Sequence, residues 1–551
     1  MDNEPYAPHP APPAPARRFA PPAPLTLTAN VTAADYADAA DDRLAFWARQ
    51  AGRLHWDRRW HEVLRWDPPQ ARWFLGGALN AAVNCVDRHV LAGHGDRVAL
   101  HWLGVPGDSR TITYAELRTE VCRAANALTR LGVRSGDRVA LYLPRIPEAL
   151  VAMLACARIG APHTVIGVDL PAGQLAARLA DCAARVVVTA DGRYAGGAPA
   201  ALKPAVDAAA ADCPDLETVL VVRRTGQEVD WTSGRDLWWP EAVDAERDEH
   251  APEAFDAEHP LFILHTAGHV GGRGARGILH TTGGYLTQVA YSHWGVFDLK
   301  ADADVYWCTG DLGRIAGHSY LVYGPLANGA TQVMYEGEVA DRWGDIVERY
   351  GVTILYTTAA AIGEFRRRGV PAGSDLSSLR LLGSTGAPID PDAWLWYREQ
   401  VGGGRCPVVD TWGQTETGAV VLGPLPGVST TKPGAVGPSL PGVAADVCDP
   451  DGAPVRRGVR GRLTLTAPWP AMLRGVWGDA TRFKRDYWSA DRPGVFLPGD
   501  RAARDADGDF WVLGRPTGAV LSTQVDVPVT RPDDAAVTIP DGESPYRGTT
   551  S

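Results

Sequence analysis

The chain has no CxxC pair, no block of basic residues, no uninterrupted membrane-length apolar run and no internal repeat. Its eight cysteines, from Cys85 to Cys448, are widely spaced. That spacing excludes a disulfide framework and the paired motifs of zinc or dithiol sites, so the thiols are expected as small buried hydrophobes. The net charge of -11 is spread along the sequence. Without a lysine- or arginine-rich patch there is no electrostatic footprint for nucleic acid or an anionic membrane, and neither is expected as a partner. The longest apolar stretch, 149–168, is broken by Arg158, Pro162 and His163, which argues against a membrane span. Arg17 and Arg18 are followed by proline-rich sequence, so no secretory or twin-arginine signal fits and a cytoplasmic location is expected.

With 551 residues, 45% of them hydrophobic, the chain can bury a large core. Residues 1–30 are dominated by proline and alanine and are expected to form a disordered tail. From Thr113 the pattern alternates. TYAELRTEVCRAANALTRLG and EALVAMLACARIGA have helical spacing, while RVALYLP, HTVIGVD and RVVVTAD are short apolar runs. The same alternation resumes at LFILHTA and continues through DVYWCTGD, TQVMYEG, VTILYTT, LRLLGST and PVVDTWG. Strands that are apolar throughout and separated by helices predict parallel sheets covered on both faces. The expected fold is therefore α/β, with two stacked, mostly parallel sheets flanked by helices in an α/β body over 31–418. Glycine- and proline-punctuated short strands predict a smaller β-rich subdomain over 419–515, and 516–551 is expected to be a second disordered tail.

In such sheets ligands lie beyond the carboxyl ends of the strands. DTWGQTETG (410–418) ends a strand with hydroxyls and one carboxylate, a set suited to a phosphate and its magnesium. PGDRAARDADGDFWVLGR (498–515) offers an aspartate and an arginine that could hold a sugar. Together with LNAAVNCVDRH, EALVAMLACARIGAPH, HTTGGYL and YWCTGDLGRIAGHSYLVYGPLANGAT, these segments resemble the AMP-forming acetate-CoA ligases of the adenylate-forming superfamily, from about Asp41 to Arg515.

The resemblance implies the N-terminal domain of an adenylate-forming enzyme, with ATP/AMP, Mg2+ and a small carboxylic acid as ligands. Gly386, Ala387 and Pro388 are expected to wall one side of the adenine and Asp410, Thr411 and Trp412 the other, with Gln414 in the same nucleotide set. Thr415 would contact the α-phosphate, Glu416 the metal, and Asp500 and Arg515 the ribose. Thr266 and Arg276 complete the expected catalytic set with Thr415 and Glu416. Charged groups such as Asp500 and Arg515 favour ligand contact over a purely scaffold role.

Departures from the family pattern shape further expectations. The phosphate loop, TSGSTGKPKG in the family, runs here from Thr266 to Gly277, is longer, has Ala267, His269 and Val270 in place of hydroxyls, and carries Arg276 at the lysine-type position. Retained ATP binding and a drifted loop are equally compatible with it. The family's C-terminal lid, which supplies a lysine, is not found after Pro516 and Thr517, so a separate lid domain or an acceptor protein is a candidate partner. Ala195 and Ala198 stand where the family has two arginines for coenzyme A; Arg193 is the nearby substitute, and coenzyme A is left doubtful. Gly413 replaces a tryptophan that closes the acetate pocket, and Arg314, beside Ile315 and Ala316, replaces another. With Thr385 these define the expected acyl pocket, read as admitting an acid larger than acetate, although Arg314 at the surface fits the sequence equally well. The expected function is a carboxylate-adenylating ligase unable to complete a thioester alone. The alternatives are a nucleotide-binding pseudoenzyme or accessory protein and a relic without ligand.

Overall fold

The structure, a computed structural model, describes residues 17–266, 276–489 and 492–515. Two mostly parallel sheets form the body. In the first, Asp236–Trp238, Thr218–Val222, Val186–Ala190, Val139–Tyr142, His163–Val165 and Pro260–Thr266 run parallel. Arg276–Thr281 and then Gly475–Val476 extend it antiparallel. In the second, Val408–Asp410, Leu381–Thr385, Ile354–Thr358, Val305–Cys308, Thr331–Tyr335 and Val98–Leu103 are parallel, and Ser109–Thr113 closes the edge antiparallel.

The continuous apolar runs are explained by burial on both faces. Along the second sheet successive residues alternate between two cores, as a strand's period of two requires. Tyr306, Ile354 and Leu381 belong to a cluster that also takes Val139, Val187 and Ile263 from the first sheet. Their neighbours Trp307, Leu355 and Leu382 join a cluster with Trp343, Phe365 and Trp394, from helices Val339–Tyr350, Ala359–Arg368 and Pro391–Trp396. The two sheets therefore share one core, and the second sheet carries another on its far face.

Helix Pro147–Arg158 is buried along most of its length. Arg158, which interrupts the apolar pattern, is held by the buried carboxylate of Asp87 at 2.7 and 3.1 Å and donates to the His250 carbonyl. All eight cysteines are buried free thiols. Among the described residues no helix is long and apolar enough to cross a membrane.

A third, antiparallel sheet joins Ala445–Cys448, Arg460–Leu465, Arg501–Arg504 and Phe510–Gly514. Because Gly475–Val476 lies within this stretch yet completes the first sheet, the β-rich segment and the body are knitted together.

The N-terminal expectation needs correction. From Arg17 onward the proline-rich segment is docked on the body: Phe19 exchanges backbone hydrogen bonds with Thr431 and stacks near Trp394, Ala23–Thr28 is a helical turn, and Asn30 donates to Asp298. An aromatic side chain with an apolar partner and a proline, Pro24, in the first helical turn overcome the extended bias of the composition. Residues 1–16 and 516–551, both expected as tails, lie outside the described residues.

Candidate active site

Strands Leu381–Thr385 and Val408–Asp410 are neighbours, with Ser384 opposite Asp410, so their carboxyl ends open side by side. After Thr385 the chain turns at Gly386, whose φ of 88° places it in the left-handed region where a side chain is strained. Beyond these ends lies a cavity of about 260 Å³. Gly386, Ala387 and Pro388 line one part of its wall and Asp410, Thr411, Trp412, Gly413 and Gln414 another. Asp500 and Arg515 reach it from the β-rich segment, with Val436, Val512 and Gly514 filling the gaps.

Asp500 is the best-fixed group in this wall. Its Oδ2 accepts from Trp412 Nε1 and Gln414 Nε2, both at 2.9 Å, while Arg515 Nε stands 3.7 Å from Oδ1. The two donors lock the indole plane and leave the Oδ1 side towards the arginine. Thr411 Oγ1 is tied to the Ser384 carbonyl and to Tyr356 Oη, each at 2.8 Å. Asp410 is fully enclosed; loss of hydration pushes its carboxyl up to about 8, and its Oδ2 has no hydrogen-bond partner among the described residues.

Thr415 and Glu416 follow this wall without lining the cavity. The Thr415 carbonyl binds His280 Nε2 at 2.7 Å, and burial drives that imidazole down to about 3, so it is neutral. Glu416 is buried, and its Oε1 accepts from Tyr487 Oη at 2.8 Å. Among the described residues no donor is bound to Oε2. A carboxylate oxygen is the type of donor that magnesium takes, so Glu416 is chemically suited to that ion.

Thr266 ends its strand and Arg276 begins the next, and the two are paired across the hairpin. The loop between them, 267–275, and with it the expectation of a degenerate phosphate site, lies outside the described residues.

The acyl-pocket expectations fare differently. Space beside Gly413 is tight: a Cβ there would lie 2.8 Å from the Ala419 carbonyl oxygen, because the backbone of the 417–419 turn passes close to it. Arg314 is exposed, and its charge adds to burial in lowering the guanidinium of Arg178. It does not border the 260 Å³ cavity. Ile315 and Ala316 are half-buried and Thr385 is buried. Of this set only Gly413 borders the 260 Å³ cavity.

Residues 87–477 match the family described as AMP-binding enzyme, and residues 32–85 match the acetyl-coenzyme A synthetase N-terminus. The chain belongs to the AMP-binding enzyme family. Among other members, the acetyl-coenzyme A synthetase of Streptomyces avermitilis is 58% identical over 531 residues, covering 95% of this chain and 81% of that protein. The Mycobacterium tuberculosis acetyl-coenzyme A synthetase is 53% identical over 515 residues, 90% of this chain and 79% of that one. Among solved structures, acetoacetyl-CoA synthetase from Streptomyces lividans superposes with a TM-score of 0.82 at 28% identity, covering 90% of this chain and 80% of that one.

A second cleft of this AMP-binding enzyme, about 140 Å³, is bordered by Arg145, Asp169, Arg193, Tyr194, Asp311 and Glu336 among others. Arg193 pairs with Asp169 at 2.7 Å. Ala195 and Ala198 sit exposed on the hairpin formed by Gly192–Ala195 and Ala198–Ala201. Sequence reasoning missed Val436, which helps wall the cavity, and Tyr487, which holds Glu416. Val512 lay unremarked inside the DFWVLGR motif; Tyr487 carried no signal, since it comes from a separate helix, Ala480–Tyr487.

Proposed function

We propose that the chain is an ATP-dependent, AMP-forming acid-CoA ligase that activates a small carboxylic acid as its adenylate. One observation carries this reading: a carboxylate, Asp500, is clamped by Trp412 and Gln414 at the wall of a slot bounded by the Gly386 turn, with Arg515 beside it. In this reading a flat ring would lie between the Gly386–Pro388 turn and Trp412, and a vicinal diol would meet Asp500 Oδ1 and Arg515. In the reaction a carboxylate oxygen attacks the α-phosphorus, the bond to the pyrophosphate oxygen breaks, and acyl-AMP and pyrophosphate result. Thr415 is assigned to the α-phosphate, and Thr266 and Arg276 to the outer phosphates. Glu416, oriented by Tyr487, would hold Mg2+, which neutralises charge on the phosphates when bound.

The acid is small. The closed backbone at Gly413 favours a short acyl group over the larger acid that the missing tryptophan suggests, and the relatives are named for acetyl and acetoacetyl groups. Coenzyme A is the proposed acceptor, because the relatives are named as acetyl-coenzyme A and acetoacetyl-CoA synthetases.

The test is acid-dependent ATP–pyrophosphate exchange with acetate, propionate, butyrate and acetoacetate, run beside AMP calorimetry and thioester detection. Exchange with a short acid is expected. AMP binding without exchange would replace this reading with a nucleotide-binding protein that does not turn over, and exchange without thioester would confine the chain to the adenylation half-reaction.

A further inference from the structure

A second cavity of about 260 Å³ shares no lining residue with the nucleotide slot. Arg53 and Leu54 enter it just after helix Arg43–Ala51, Arg88 follows the helical turn Val83–Asp87, and Ala290 and Trp294 come from helix Thr282–Val296. Leu299, Ala301 and Asn328 complete the wall.

Two cations therefore face one small cavity, and among the described residues no carboxylate pairs with either. Arg88 donates from Nη1 to the Arg53 carbonyl at 2.8 Å and from Nη2 to the Ala327 carbonyl. Its Nε is buried without a partner. Arg53 Nε is likewise buried and unpartnered, and the Arg53 guanidinium carbon stands 3.7 Å from the centre of the Trp294 ring. Asn328 Nδ2 is committed to the Ala290 and Gly324 carbonyls and to His293. Asp35, an acid whose charge reaches the Tyr291 beside Arg53, accepts from Thr32 N at 2.9 Å in a helix cap. Burial first, and then the charge of Arg88, lowers the Arg53 guanidinium to about 10. Adjacent cations with no acid between them are unfavourable as they stand, and an oxyanion held in the cavity beside both guanidinium groups would offset their repulsion.

The cavity is below the volume typical of drug-sized ligands. Apart from the guanidinium groups and the Asn328 amide, its wall is made by Leu54, Ala290, Trp294, Leu299 and Ala301. We propose that Arg53 and Arg88 form a binding site, separate from the nucleotide slot, for a small organic oxyanion: a carboxylate or phosphate group on a short apolar body.

The test is calorimetry and thermal melting of the full chain with propyl phosphate, butyrate and, as the neutral control, propanol. Wild type, R53Q, R88Q and W294F are compared, and circular dichroism establishes that each is folded. Wild type is expected to bind one of the two anions and not propanol; which anion binds names the head group. R53Q should bind at least tenfold more weakly. R88Q should also weaken binding, and the anion-induced fluorescence change should vanish in W294F, where the ring under Arg53 is replaced. Equal affinities in wild type and folded R53Q, or no heat and no melting shift with either anion at about 10 mM, would overturn the proposal. Since Arg53 is remote in the lining from the adenylation cavity, failure here leaves pyrophosphate exchange untouched.

Discussion

Asp410→Asn should change how stability depends on pH, with a definite sign. The Asp410 carboxyl is raised by burial to about 8, so it is neutral in the folded chain below that pH, while in the unfolded chain it ionises near its ordinary value of 3.8. The unfolded state then releases a proton that the folded state keeps. The stabilising contribution is fully present below pH 3.8 and is lost as pH rises towards 8. At about 1.4 kcal/mol per unit, the wild type should lose on the order of 4 kcal/mol between pH 4 and pH 7 relative to the asparagine variant, which cannot ionise. Urea midpoints of both proteins, measured in steps from about pH 4.5 to 8.5, isolate this one group, because all other carboxylates cancel in the difference. A difference that is flat, or that grows in favour of wild type as pH rises, would refute the burial argument.

Asp500→Asn keeps an oxygen that can accept from Trp412 but removes the charge beside Arg515. AMP affinity by calorimetry should fall by ten- to a hundredfold, about 1.5–3 kcal/mol for hydrogen bonds to a charged group, and unchanged affinity would remove Asp500 from the proposed nucleotide contacts. Gly413→Ala presses a methyl group to 2.8 Å from the Ala419 carbonyl and should cost about 1–3 kcal/mol in urea unfolding; a variant as stable as wild type would mean that the turn yields and the acyl side has room after all. Asp87→Asn leaves Arg158 as a buried cation without its bidentate carboxylate and should destabilise the chain by about 3–5 kcal/mol. A loss under about 1 kcal/mol would mean that the His250 carbonyl and water suffice.

The body of the fold was legible because each strand carries its own evidence. Val186–Ala190 is apolar at nearly every position since both faces are covered, and the helices beside it repeat with the spacing that buries one or more faces. The placing of DTWGQTETG followed from the strand that precedes it. Illegible features share a physical cause: they depend on what a distant segment does with space. Gly413 read as an opening because a missing side chain is visible in sequence, whereas the close approach of the 417–419 backbone is not. Phe19 gave no hint that Trp394 and Thr431 would receive it, and the proline-rich composition pointed the other way. Arg314 was equally consistent with pocket or surface in the sequence, and its exposure is set by how the 311–318 segment folds. Arg53 and Arg88 look like ordinary surface cations until the fold sets both against one cavity.

The clamp on Asp500 also explains how the two halves of the slot are kept in register. Trp412 and Gln414 follow a parallel strand, and Asp500 precedes a strand of the antiparallel sheet, so this carboxylate oxygen is one of the links between the body and the β-rich segment. Desolvating a carboxylate is unfavourable, and two directed donors offset that cost only where the segments meet at one separation. The same bonds that hold the indole as a wall therefore set the width of the cavity. A substitution that spares Asp500 but shifts the sheet, such as one in the Gly475–Val476 strand, should weaken AMP binding without touching any group in the slot.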